Sequence, residues 1–247
     1  MNSQLDMARV EVSAVLFDLD NTLVDTAGAG RVAIQQVCER LKDKVNHTNL
    51  KNICERFARK VLQETYDPSS GQTIDEVRIN HWHEALQEAE GKDPGRALAS
   101  DCYYTWKNTR LQALALSPDV LAMLKELRSS YKLLLLTNGE TQTQREKIEA
   151  LKCEGLFDAV VVGGEHAEQK PAMSIFTHCF ELLRVKPQNC IMVGDSIDTD
   201  IQGGINAGVQ ATVWINKSNG SAQENGITPD YTISSVLNLP NILANLR

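Results

Sequence analysis

The sequence predicts an α/β protein: a Rossmann-like parallel sheet with helices on both faces, and an all-helical unit inserted after the first strand. Three observations carry this. From about residue 117 onward, short apolar runs alternate with helical segments, the pattern of right-handed βαβ units. Residues 27–114 instead read as helix after helix. Each apolar run also closes on a polar cluster, as strands do when their carboxyl ends line a ligand crevice.

Taken in order, residues 10–17 (VEVSAVLF) are short, β-branched and apolar, a buried strand. RVAIQQVCERLKDKV, LKNICERFARKVLQET, IDEVRINHWHEALQEAE and GRALASDCYYTWKNTRLQAL then follow with helical spacing, broken at YDPSSGQT and EGKDPG. SPDV opens a helix over 117–129 with Pro in its first turn, and the strand KLLLLT follows. A helix over 141–152 leads to FDAVVVGG, one over 173–184 to CIMVG, and one over 199–207 to VQATVWI. Residues 217–229 read as a loop. The expected division is a core of residues 1–26 and 115–247 and a helical domain of residues 27–114, with TAGAG (26–30) as a flexible hinge.

With 247 residues, 42% of them hydrophobic and 23% charged, the chain has the balance of an ordinary globular protein. A formal charge of −7 and scattered Lys and Arg argue against a nucleic-acid partner. The first twenty residues lack a basic stretch followed by an apolar one, and no apolar run approaches the roughly 18 residues that span a bilayer, so a cytoplasmic protein without membrane attachment is expected. Cys38, Cys54, Cys102, Cys153, Cys179 and Cys190 lie far apart with no C-x-x-C pair, and read as reduced thiols. Under that reading the sequons NHT, NKS and NGS are chance matches. Oligomeric state is not encoded in any of these features.

The clusters DLDNT, TNG, GGEHAEQKP and GDSIDTD close four strands. The topology therefore gathers Asp18, Asp20, Thr137, Asn138, Lys170, Asp195 and Asp200 at one sheet edge. Clustered carboxylates with a lysine suit a hard divalent cation, Mg²⁺ by its preference for oxygen ligands. A lysine, a threonine and backbone N–H groups in tight loops suit phosphate oxygens. Asp18 and Asp20 stand at i and i+2, so in extended backbone both carboxylates face the same side. Singly, each cluster has a plain structural reading: helix capping for the aspartates, turn chemistry around Gly139, a solvated surface lysine before Pro171. Their joint occurrence behind four strands is what favours a site.

These motifs resemble the haloacid dehalogenase (HAD) superfamily: DLDNT fits D-x-D-x-T, and LLLLTNG, QKP and VGDSIDTD fit the second, third and fourth motifs in order. The helical block stands where that superfamily carries a cap domain. A narrower likeness, carried by LLLLTNGETQTQREKIEA, FDAVVVGGE, GDSIDTDIQGGINAG and ATVWINK, is to the superfamily's phosphatases of a phosphorylated sialic acid. The resemblance implies an Mg²⁺-dependent phosphomonoester hydrolase with a small phosphorylated sugar acid as substrate. Asp18 would form an aspartyl-phosphate and Asp20 would serve as general acid and then base. Mg²⁺ would be held by Asp18, the Asp20 carbonyl and Asp195, and phosphate by Thr137, Lys170 and the N–H groups of Leu19 and Asn138. Asp200 would support Lys170 or metal-bound water, and Asp198 lies off the pattern. The crowding of the pair would raise the pKa of Asp20 toward neutrality.

Other residues carry lesser expectations. Arg31, Arg78, Arg110 and Arg145 are candidates for reading a substrate carboxylate. In HWH the imidazoles of His81 and His83 diverge on a helix and Trp82 reads as core. Asp25 and Thr26 read as a helix start, and GGINAG, preceded by a helix, as a close-packing device. Competing functions on the same motifs are a phosphoglycolate or hexose phosphate phosphatase, a sugar-phosphate mutase, or a non-catalytic scaffold, from which one carboxylate or the lysine would be missing. A dehalogenase has no use for Asp20.

Overall fold

The structure, a computed structural model, describes residues 11–217 and 226–246, so Val10 of the first predicted strand and most of the 217–229 loop lie outside the described residues. Six strands form one wholly parallel sheet: β1 (Ala14–Phe17), β2 (Lys132–Thr137), β3 (Ala159–Val162), β4 (Cys190–Gly194), β5 (Ala211–Ile215) and β6 (Tyr231–Ile233), in the order β3-β2-β1-β4-β5-β6. β1 is central because it is hydrophobic on both faces. Ala14, Val15, Leu16 and Phe17 are all fully buried, as are Leu133–Leu136 and Cys190–Val193 beside it. One face of these strands, through Leu16, Leu134, Leu136 and Met192, packs on Ile175, Phe176, Cys179 and Phe180.

The chain divides into two compact units, one ending at Val24 and resuming at Leu116, the other Asp25–Ala115. The second unit is all-helical: α1 (Thr26–Leu41), α2 (Leu50–Leu62), α3 (Ile74–Glu90) and α4 (Arg96–Ala113). α3 begins where Thr73 and Glu76 form a reciprocal capping box and ends at Gly91 in the left-handed region. The four helices close on Phe57, Trp82, Tyr103 and Trp106, with the Phe57 and Trp82 rings stacked at 3.9 Å. TAGAG is helical: it is the first turn and more of α1, capped by Asp25, whose side chain accepts from the Gly28 N–H at 2.9 Å.

In the first unit follow α5 (Pro118–Leu127), α6 (Thr141–Leu151), α7 (Met173–Leu183), α8 (Gln202–Ala207) and α9 (Leu239–Leu246). α8 begins later than the sequence pattern suggests, because Ile197–Ile201 form one wide π-helical turn before it. The two glycines that begin GGINAG do pack closely: a Cβ on Gly203 would lie 2.5 Å from the Phe176 ring, and one on Gly204 2.9 Å from Thr212. β6 and α9 carry no clear sequence signal. All six cysteines are free thiols and all but Cys38 are buried, and no described helix is long and apolar enough to cross a membrane.

Candidate active site

Strand register builds the site. Phe17 lies opposite Leu135 on one side and Val193 on the other, so the backbones that follow β1, β2 and β4 emerge together at one edge. From β1 comes Asp18, from β2 Thr137 and Asn138, from β4 Asp195. Asn21, in the left-handed region at φ 58°, turns the chain so that Asp20 bridges back to Val24.

The centre is a buried ion triad. Lys170 Nζ donates to Asp18 Oδ1 at 2.8 Å, to Asp200 Oδ1 at 2.7 Å and to the Leu136 carbonyl at 2.7 Å, so each of its three N–H groups has an acceptor. Lys170 is 4% exposed, Asp18 6% and Asp200 1%, which leaves these charges to compensate one another. Burial works against the Lys170 charge, but Asp18 and Asp200 outweigh it and its pKa is raised. Burial also pushes the Asp18 carboxyl up to about 6, with Asp200 and, least, Asp20 adding to the shift and Lys170 opposing it. Asp195 is likewise pushed up to about 6, first by burial and then by the Asp18 charge.

Carboxylate oxygens of Asp18, Asp195 and Asp200 lie within 4.8 Å of one another. Of these, Asp200 is already engaged at both oxygens, by Lys170 and by the Ser196 N–H at 3.0 Å. It reaches that position because the wide turn swings it back over β4 and because residue 194 is glycine. A Cβ there would lie 2.1 Å from Asp200 Oδ2. Trp214 of β5 donates its indole N–H to the Asp195 carbonyl at 2.8 Å and fixes that loop.

Thr137 is fully buried at the end of β2. Asn138 clamps the lysine loop by a reciprocal pair, its amide donating to the Lys170 carbonyl at 2.8 Å and accepting from the Lys170 N–H at 3.0 Å. Leu19 is a buried side chain whose carbonyl accepts from Leu23 and Val24 in the turn after β1. Asp198 is exposed on the wide turn.

The Asp20 carboxylate lies outside the group formed by those of Asp18, Asp195 and Asp200. Both oxygens are bound by Lys147 Nζ at 2.7 Å, and Gln144 donates to Oδ2 at 3.0 Å. Burial raises the carboxyls of Asp18 and Asp195, and Lys147 is a cation bonded to the Asp20 carboxylate.

Residues 12–208 match the family of haloacid dehalogenase-like hydrolases. The chain belongs to that family. This HAD-like hydrolase is 52% identical over 241 residues to N-acylneuraminate-9-phosphatase of Rattus norvegicus, covering 97% of each chain. It is 51% identical over 241 residues to that of Homo sapiens, again 97% of each. In fold it is similar to a HAD hydrolase of Bacillus subtilis, with a TM-score of 0.67 at 23% identity over 94% of this chain and 99% of that one. It is an enzyme of the phosphoric monoester hydrolase class, similar to N-acylneuraminate-9-phosphatase.

Within this HAD-like hydrolase the arginine candidates have other partners. Arg78 is buried against Glu64 at 2.9 Å, Arg145 grips Glu165 at 2.7 Å, Arg110 lies 5.2 Å over the Trp106 ring, and Arg31 is 3.7 Å from Asp25. His81 faces Glu64 and His83 faces Asp93, so they serve separate carboxylates, while Trp82 is fully buried. Gln144 and Lys147 are the site residues that sequence reasoning passed over. A signal for them exists: α6 offers only Ile148, Ala150 and Leu151 as apolar residues, so a packed face of that helix must bury polar side chains, and it buries Gln144 and Lys147.

Proposed function

We propose that this HAD-like hydrolase is a cytoplasmic, Mg²⁺-dependent phosphatase that removes the phosphate of N-acylneuraminate 9-phosphate through an aspartyl-phosphate on Asp18. The observation that carries the chemistry is the buried Asp18–Lys170–Asp200 triad beside Asp195 at the carboxyl edge of the sheet. The substrate rests on the 52% identity that runs through both units of the chain. The helical unit Asp25–Ala115 stands in the chain where the family carries a cap.

The donor set fits the metal. Asp18 and Asp195 are hard oxygen donors in a neighbourhood that disfavours their own ionisation, so a dication is the natural counter-charge. With both oxygens of Asp200 spent, the protein ligands are Asp18, Asp195 and the Asp20 carbonyl. Bound there, Mg²⁺ supplies charge stabilisation to the phosphoryl oxygens. Lys170 holds Asp18 Oδ1, leaving Oδ2 to attack phosphorus. The P–O bond to the sugar breaks, and the leaving alkoxide takes the proton carried by Asp20. Asp20 then accepts a proton from water, which attacks the same phosphorus and returns Asp18 as a free carboxylate. Thr137 and the N–H groups of Leu19 and Asn138 grip the phosphoryl oxygens, and Lys170 offsets their developing charge.

Phosphate release is to be measured from N-acylneuraminate 9-phosphate, phosphoglycolate and common hexose phosphates. A lead of about a hundredfold in kcat/KM for the sialic acid ester, roughly 2.7 kcal/mol of transition-state discrimination, is expected. Equal, slow turnover of all three would remove the substrate from this reading and leave the phosphatase.

Metal binding has a pH signature. The folded-state pKa values of Asp18 and Asp195, about 6, lie above their ordinary value of 3.8. Their protonated forms therefore favour the fold: that contribution is complete below about 3.8 and is lost as pH rises through about 6. A dication binds the ionised forms and reverses the loss. Mg²⁺ is expected to raise Tm clearly at pH 7.5 and hardly at pH 5. An equal rise at both would show binding elsewhere.

A further inference from the structure

We infer that Lys147, with Gln144, is a positioning residue for the proton-transferring carboxylate of Asp20, an inference that rests on the roles proposed above for Asp18 and Asp20. Lys147 stands three residues after Gln144 on α6, so one helix face delivers both side chains. Both are almost fully buried, at 3% and 4% exposure, while the Asp20 side chain is 26% exposed. A lysine taken out of water at that depth needs a specific reason. Here its ammonium spans both oxygens of Asp20 at 2.7 Å.

Gln144 completes the device. Its amide donates to Asp20 Oδ2 at 3.0 Å and also to the carbonyl of Asn138, the residue that clamps the Lys170 loop. Space for this amide comes from Gly139, where a Cβ would lie 2.8 Å from Gln144 Nε2. Asp20, on the turn after β1, is thereby tied to the turn after β2. A carboxylate without such partners would sample more rotamers. One held by an ammonium and an amide keeps a single orientation relative to the leaving group and the attacking water.

The role is separable from general stability through the leaving group. An alkyl phosphate leaves as a strongly basic alkoxide and depends on Asp20, whereas p-nitrophenyl phosphate leaves as a weak base and depends on it far less. Lys147→Met, Gln144→Leu, Asp20→Asn and the double variant Asp20→Asn/Lys147→Met are compared on N-acylneuraminate 9-phosphate and p-nitrophenyl phosphate. Lys147→Met is expected to lower kcat on the alkyl ester by about tenfold or more with KM nearly constant. Its loss on the aryl ester is expected to be several-fold smaller, and turnover of that ester reports an intact fold. Gln144→Leu follows in the same sense but more weakly, and Lys147→Arg restores part of the rate. The double variant loses no more than Asp20→Asn alone, because the lysine acts only through that carboxylate.

Equal losses on both esters, or additive losses in the double variant, would overturn the positioning role while leaving Asp20 in place. An Asp20→Asn enzyme as active as the wild type on the alkyl ester would overturn the reading of Asp20 itself, and the inference with it.

Discussion

Asp18→Asn is expected to abolish turnover, by at least about 10⁴-fold in kcat, and yet to make the metal-free protein more resistant to heat at pH 7.5. The rate loss follows from the loss of the attacking oxygen, a group whose removal in other enzymes with a covalent intermediate is of that order or larger. The stability gain follows from the raised pKa. Burial holds the Asp18 carboxyl at about 6, so at pH 7.5 the fold bears the cost of an ionised group it disfavours, despite Lys170. Asparagine has nearly the same shape and carries no charge. At pH 5 the native carboxyl is largely protonated and the difference between the two proteins shrinks. Thermal denaturation in the presence of a chelator at both pH values tests the sign. A lower Tm for the asparagine variant at pH 7.5 would mean that the Lys170 bond outweighs burial.

Lys170→Met is expected to have the opposite effect on stability and a comparable effect on activity. It leaves Asp18 and Asp200, at 6% and 1% exposure, without the cation that bonds both of them at 2.7–2.8 Å. Breaking a buried ion cluster by removing one partner costs about 3–5 kcal/mol, because the remaining charges stay desolvated. For a chain of this size that lowers Tm by about 10 °C. The deficit is expected to be greatest at neutral pH and to narrow on acidification, since protonating Asp18 removes part of the uncompensated charge. An unchanged Tm at pH 7.5 would show that water or a bound ion replaces the ammonium.

The opposite signs expected at these two contacting residues follow from how the site is built: one lysine is set against two carboxylates, and the third carboxylate, Asp195, adds a further negative charge. A site so arranged is short of positive charge and could hold a dication.

Much of this was legible in the chain. β2 and β4 coincide with the predicted runs KLLLLT and CIMVG, and α3 with IDEVRINHWHEALQEAE. The reason is that a parallel strand buried on both faces must be apolar without a break, and that a capping box and a glycine mark helix ends locally. The loops that carry Asp18, Lys170, Asp195 and Asp200 meet because strand order brings them to one edge.

The rest required the tertiary structure. The boundary at Val24 and Asp25, the helical TAGAG and the wide turn before α8 each depend on which partner a backbone group finds, and several sequences of partners fit the same local pattern. The pairing of Asp20 with Lys147 joins positions far apart in the chain, and neither residue's neighbours announce it. The sequence by itself determined five strands of the sheet, the inserted helices and which polar clusters meet at one sheet edge, since burial and periodicity are written into residue type. Only packing decided how each carboxylate is held, because a charge's pKa and orientation depend on what surrounds it in space.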